Sequence, residues 1–257
     1  MVWGAACIPG EMLFGREKHP IASRLRWAFF WSFTVLAQAI GIWALGQALP
    51  RSGLAPLVVF DFRDVGEHWH PAFRTGFLVL VTLAWSFVYD FSYYWFHRLQ
   101  HTVPLLWRFH ATHHSIEELN GMNCGHHWME GFLKVPFLLL PLALLVDLRF
   151  QEVAIIATIV GAWTQFVHAD SMIDFGRLSW LFVSPRFHRM HHSTSSEHYN
   201  RNFAGVYPVI DMMFGTDVFP AEGEQITIGL TDKHEPRMLR EFLFDLRDKS
   251  KLESPGS

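Results

Sequence analysis

The chain has 257 residues, half of them hydrophobic and 18% charged, with a formal net charge of −3; that length suits one domain, or a small membrane protein with one polar lobe. This charge balance lacks the global basic field of a nucleic-acid binder, so nucleic acid is excluded as a partner. Two isolated cysteines, Cys7 and Cys124, make neither a disulfide framework nor a cysteine zinc site, and the metal-binding capacity lies in the 16 histidines.

The N-terminus lacks an early basic region followed by an apolar core and a small-residue cleavage site, so no cleavable signal peptide is expected. Residues 1–26 end in the basic cluster Arg16, Lys18, Arg24 and Arg26. Residues 27–49 then carry no charge, over a length that spans hydrocarbon as a helix. Residues 76–96 form a second candidate span, interrupted only by Asp90. Residues 132–148 and 153–167 are shorter apolar runs, read as a tight hairpin whose first arm is kinked by Pro136 and Pro141. The tail after His168 is polar and holds Arg177, Arg186, Arg189, Arg201, Lys233, Arg237, Arg240, Arg247, Lys249 and Lys251. An excess of Lys and Arg marks the cytoplasmic side, so both termini are expected there, which requires an even number of spans. The loop over 50–75 lies on the other side. An amphipathic stretch over 236–246 repeats Leu239, Phe242, Leu243 and Leu246 at helical spacing, and the last nine residues read as disordered. The expected fold is all-α and integral to the membrane: about four transmembrane helices within 27–168, and a cytoplasmic helical cap over 169–257.

Three histidine boxes are laid on this frame: HRLQH with His97 and His101, HATHH with His110, His113 and His114, and HRMHH with His188, His191 and His192. On a helix, positions i, i+3 and i+4 share a face, so each box can aim its imidazoles at one point. Eight imidazoles exceed what one first-row ion accepts, which suggests two ions. At this histidine content one HxxHH box is expected about 0.06 times by chance, and two are far rarer. The topology places all three boxes on one side of the membrane, as a shared metal centre requires. His19, His68, His70, His198 and His234 belong to no box and read as surface residues. Asp90 lies two helical turns before His97, and an ionisable residue in a span is a functional candidate by default; it is expected to accept a hydrogen bond from a ligand imidazole. Tyr93, Tyr94 and Trp95 read as a packing or interface belt.

From Asp90 to Thr216 the chain resembles the fatty acid hydroxylase/sterol desaturase superfamily of membrane, histidine-rich di-iron enzymes. The resemblance rests on DFSYYWFHRLQH, LWRFHATHHS, SPRFHRMHHS and FGT, and it implies one catalytic domain over about residues 84–220. It adds two ligands. One is His127, with Glu130 three residues on as a carboxylate for a ligand ring; His126 competes for this place, and Gly125 and His126 stand where the family carries Arg. The other is His168, followed here by Ala169 where Asn is common. NRNFAG, from Asn200, resembles the family's Asp-x-Asn-Tyr-Gly stretch, with Asn200 for Asp and Phe203 for Tyr. Ile210 precedes Asp211 where Trp-Asp is usual.

Neutral imidazole suits Fe, Zn and Cu alike; the resemblance selects two iron ions, with O2 as co-substrate and zinc able to substitute during purification. It implies oxidation of an unactivated C–H bond of a lipid, hydroxylation ahead of desaturation. With no fused redox module in the chain, electrons are expected from a separate ferredoxin or cytochrome b5-like donor, docking on the basic tail. A zinc hydrolase would require a Glu base as in HExxH, which is missing. A transporter would place its ligands near the midplane, whereas these boxes lie outside the spans. The compact length points to a bacterial inner membrane.

Overall fold

A computed structural model describes residues 2–244 other than 16, 63, 64, 67, 150–152 and 231–235. His234, the charges Arg16, Arg63, Lys233, Arg247, Lys249 and Lys251, Leu246 and the last nine residues therefore lie outside the described residues. The fold is mostly helical. Helix α1 (Val2–Phe14) packs on α7 (Val153–Val167). Helix α2 (Ile21–Ala48) buries Ser23, Arg24, Trp27, Phe30, Thr34, Ala37 and Gly41, a single stripe at helical spacing. Its other faces leave Leu25, Phe29, Leu36, Ile40 and Trp43 exposed. In water this apolar surface would be unfavourable; on a helix of spanning length it is the face offered to lipid.

Helix α3 (Pro71–Thr102) starts with Pro71 at its first position and His70 as the cap. Its buried side chains, from Ser86 to His101, lie in its C-terminal half. Val103 is extended and Pro104 restarts the chain as α4 (Pro104–His114); a proline has no N–H to continue a helix, but fits its first turn. After a buried loop come α5 (Trp128–Lys134), a π-helical turn (Val135–Leu139) and α6 (Leu140–Leu145). The kink expected from Pro136 and Pro141 therefore takes the form of a π turn. Helices α2 and α5 run side by side in the same direction and approach closely at Gly131, where a Cβ would lie 2.5 Å from the Thr34 carbonyl oxygen and 2.7 Å from the Gln38 nitrogen.

Among the described residues, three helical segments are long and apolar enough to cross a membrane: Ile21–Arg51, Pro71–Thr102 and Trp128–Leu145. The expected fourth, α7, has 15 residues, short of the roughly 20 that a straight crossing needs. Two short strands also depart from the all-α expectation. β1 (Val58–Asp61) and β2 (Val146–Arg149) pair in parallel, from Val58 opposite Val146 to Asp61 opposite Arg149. Each lies in a connector, and together they tie the end of α2 to the end of α6 at the pole of the bundle away from the histidine boxes. The chain runs out along α2, back along α3, out along α5 and α6, and back along α7.

The remaining elements cap the near pole: α8 (Pro185–His191), α9 (Pro208–Phe214) and α10 (Leu239–Phe244). In the amphipathic tail Phe242 is fully buried and stacks on Phe30 at 4.7 Å, beside Trp27, Ile116 and Leu119.

Candidate metal centre

Nine histidines meet at the near pole in two groups. His97, His101, His110, His114 and His191 form the first; His113, His168, His188 and His192 form the second. Within each group the candidate ligand atoms all lie within 4.8 Å of one another. The boxes interleave. In α4 the i, i+4 pair His110 and His114 serves the first group and His113 the second. Around α8 the pair His188 and His192 serves the second group and His191 the first. The Ser184 side chain caps α8, accepting from the Phe187 N–H at 3.1 Å, and Pro185 fills its first position. The groups adjoin, with the His114 and His192 rings stacked at 4.5 Å.

The contacts of the ring nitrogens show how each imidazole is turned. His97 Nδ1 donates to the Phe203 carbonyl at 2.7 Å, His191 Nδ1 to Arg201 at 2.7 Å, His168 Nδ1 to Thr164 at 2.6 Å and His113 Nδ1 to Gly125 at 3.3 Å. A proton on Nδ1 leaves Nε2 with its lone pair free. These Nε2 atoms crowd together: His97 and His110 at 3.0 Å, His168 and His188 at 2.9 Å, His188 and His192 at 3.2 Å, His168 and His113 at 3.3 Å. Both His101 ring nitrogens, and Nε2 of His114 and His191, are buried with no hydrogen-bond partner among the described residues. Such orphans are costly; all of them belong to the first group, where an ion would take one nitrogen from each ring. The donor set fits a pair of first-row divalent ions held by neutral imidazole. Burial is the main cause holding His113, His114, His188 and His192 well below the usual histidine range, with nearby imidazoles adding to it. Burial likewise takes His168 and His191 to about 3. These rings are therefore neutral at physiological pH, the form that ligates a metal.

Glu130, on α5, accepts from His110 Nδ1 at 3.2 Å, from His126 Nδ1 at 3.1 Å and from the Gln100 amide. His127 is absent from both groups. It caps α5, with Nδ1 accepting from the Met129 N–H at 3.2 Å, and its ring lies near Phe109 and Phe242. His126, also outside both groups, stacks on His113 at 4.0 Å and is grouped with His110 and Glu130. The sequence signal was the spacing: His126 lies four residues before Glu130, just ahead of α5, within reach of its carboxylate.

Asp90 is buried but bonds no imidazole among the described residues. It accepts from the backbone N–H groups of Gly205 at 2.8 Å, Val206 at 3.0 Å and Tyr207 at 2.8 Å. The expected imidazole bond gives way because this loop crosses α3 and brings three unpaired donors to the carboxylate. Tyr94 is fully buried, its hydroxyl 3.0 Å from the Thr216 hydroxyl, while Trp95 is exposed. His19 is also corrected: its ring is buried, with Nε2 3.2 Å from Asp170. Asp170 also accepts from the Glu17 N–H at 2.9 Å and faces Arg189 at 3.4 Å. Glu11 joins this network, accepting from the Asp170 and Gly121 N–H groups and pairing with Arg24. Sequence reasoning missed Glu11, Asp170 and Asp211, because their partners lie in other segments of the chain, outside the elements that carry them.

The family model named Fatty acid hydroxylase matches residues 82–216. Alkylglycerol monooxygenase of Homo sapiens is 32% identical over 142 residues, covering 55% of this chain and 31% of that protein. Ornithine lipid hydroxylase OlsE of Rhizobium tropici is 30% identical over 216 residues, covering 83% of this chain and 63% of that protein. The chain thus spans about a third of the length of the alkylglycerol monooxygenase it matches. No solved structure matches the chain at a significant level.

Proposed function

The chain belongs to the fatty acid hydroxylase family, and from that premise we propose that it is a membrane-bound lipid hydroxylase with two iron ions, one in each histidine group. The observation that carries this reading is the convergence of buried Nε2 atoms in two adjoining groups, with Nδ1 atoms turned outward onto carbonyls. The ligand set is His97, His101, His110, His114 and His191 for one ion and His113, His168, His188 and His192 for the other. His126 lies between the groups as a further donor. Bound iron would supply activation of O2 and removal of a hydrogen atom from an unactivated C–H bond.

The protein's own part is orientation and exclusion of water. Glu130 fixes the tautomer of His110 by accepting from its Nδ1. Carbonyls of Thr164, Arg201 and Phe203 do the same for His168, His191 and His97. The substrate is a membrane lipid with an alkyl or acyl chain, a class that includes what the similar alkylglycerol monooxygenase and ornithine lipid hydroxylase are named for. Electrons come from a separate ferredoxin or cytochrome b5-like protein. The histidine pole and both termini face the cytoplasm, and the membrane is a bacterial inner membrane.

The test is elemental analysis and Mössbauer spectroscopy of protein from iron-57 medium, with lipid profiles of cells carrying or lacking the gene. Two irons per chain in a coupled pair, and a lipid gaining one oxygen atom, are expected. Protein holding zinc alone is reconstituted with iron and assayed for O2 uptake with lipid extract. Folded protein that binds no metal even after reconstitution would sink the reading.

A further inference from the structure

Residues 203–207 cover the first histidine group as a segment without regular secondary structure, and two carboxylates hold it. Asp211, on α9, accepts from the Phe203 N–H at 2.7 Å and the Ala204 N–H at 2.9 Å. Asp90, on α3, takes the next three N–H groups, Gly205 to Tyr207. Five consecutive backbone donors thus end on two buried carboxylates. Burying a carboxylate is unfavourable unless it is hydrogen-bonded this fully. The Ala204 N–H and the Phe203 carbonyl belong to one peptide group. Its N–H end meets Asp211 and its carbonyl end accepts from His97 Nδ1 at 2.7 Å. The Thr216 hydroxyl, itself 3.0 Å from the Tyr94 hydroxyl, donates to Asp211 at 2.8 Å.

We propose that Asp211 is the carboxylate partner of His97, acting through the Phe203–Ala204 peptide as a positioning residue for the ion of the first histidine group. Metal-bound imidazoles commonly donate their outer N–H to a carboxylate, which fixes the ring and raises its basicity. Here one peptide group lies between the two, and hydrogen-bonded groups in series polarise one another. Asp90 anchors the far side of the same segment. The influence is confined to one group. In the second group His168 and His113 use the carbonyls of Thr164 and Gly125, which lie outside this segment.

The inference rests on the reading of the two groups as two metal sites, and the experiment separates the two. Asp211→Asn keeps shape and removes charge, and its amide cannot accept from both N–H groups. In intact protein from iron-57 medium, the expected result is about one tightly held iron per chain, with affinity at the other site about 10–100-fold weaker. One Mössbauer environment should change and the other persist. Thr216→Val removes only the hydroxyl donor and should shift the same environment by less, which keeps the test available if Asp211→Asn does not fold. Two irons of unaltered affinity and spectrum in both variants would overturn the proposal. So would equal loss at both sites in a folded variant, the mark of a merely structural role. Wild-type protein that takes no metal would instead overturn the two-site reading itself.

Discussion

Glu130 gathers His110, His126 and Gln100 onto one buried carboxylate oxygen, so its charge is tied to one ring of the first group and one ring beside it. Glu130→Gln removes the negative charge that these donors share, and a neutral amide oxygen is the weaker acceptor. Metal affinity should fall about 10–100-fold, read by competition with a chelator. The neighbouring histidines separate cleanly. His126→Ala should weaken metal binding, while His127→Ala should leave it intact and cost about 1 kcal/mol of stability through the lost helix cap. Equal metal loss in both variants would contradict the placement of these rings. The depressed histidines also set a pH dependence for the metal-free chain. An unfolded histidine takes up its proton near its ordinary value of about 6.5, whereas His168 and His191 resist to about 3. Between those limits the unfolded state binds more protons, so stability rises with pH. It is complete above about 6.5 and is lost as pH falls toward 3. Melting curves of metal-free protein should follow that slope; a flat profile would count against buried neutral rings.

At the scale of elements, the crossing of α2 and α5 sets where α5 begins, and so where His126 and Glu130 stand. Gly131→Val would place a branched side chain where 2.5 Å separates a Cβ from the Thr34 carbonyl oxygen. Both contacting atoms are backbone, so the helices must part; the cost is about 1–3 kcal/mol. A lowered Tm together with reduced metal content is expected, and a wild-type Tm would show that α2 and α5 do not pack this closely. The sequence made α2 and α3 legible, because apolar runs of spanning length with at most one charge have few other fates. The boxes were legible because ligation imposes i, i+3 and i+4 spacing on a helix. The β1–β2 pair was not, since parallel pairing joins segments 88 residues apart in the chain. Neither was the segment over 203–207, whose donors end on carboxylates of α3 and α9. Asp90 shows the same limit from the other side: its position in a span marked it as important, but the partner was backbone that no spacing rule could supply.

The whole molecule has two unlike poles. The β1–β2 pair closes one, and nine histidines under the cap of α8 to α10 fill the other. Between them runs a belt of exposed apolar side chains, including Leu36, Ile40 and Trp43 on α2 and Val79, Leu80 and Leu83 on α3. A belt of that kind is stable only in hydrocarbon, which fixes the molecule's depth in a bilayer but leaves two orientations. The positive-inside rule, applied to the excess of Lys and Arg in the tail, predicts the orientation with the histidine pole inside, where the proposed soluble electron donor would reach it. Ser52 lies exposed just past α2, at the β pole, and Ser196 lies exposed at the histidine pole. In a Cys7→Ser background, Ser52→Cys should react with a membrane-impermeant maleimide on intact spheroplasts. Ser196→Cys should react only after the membrane is opened. Labelling of both from the same side would refute the two-pole arrangement, and the reverse pattern would place the metal centre outside, where a cytoplasmic donor could not serve it.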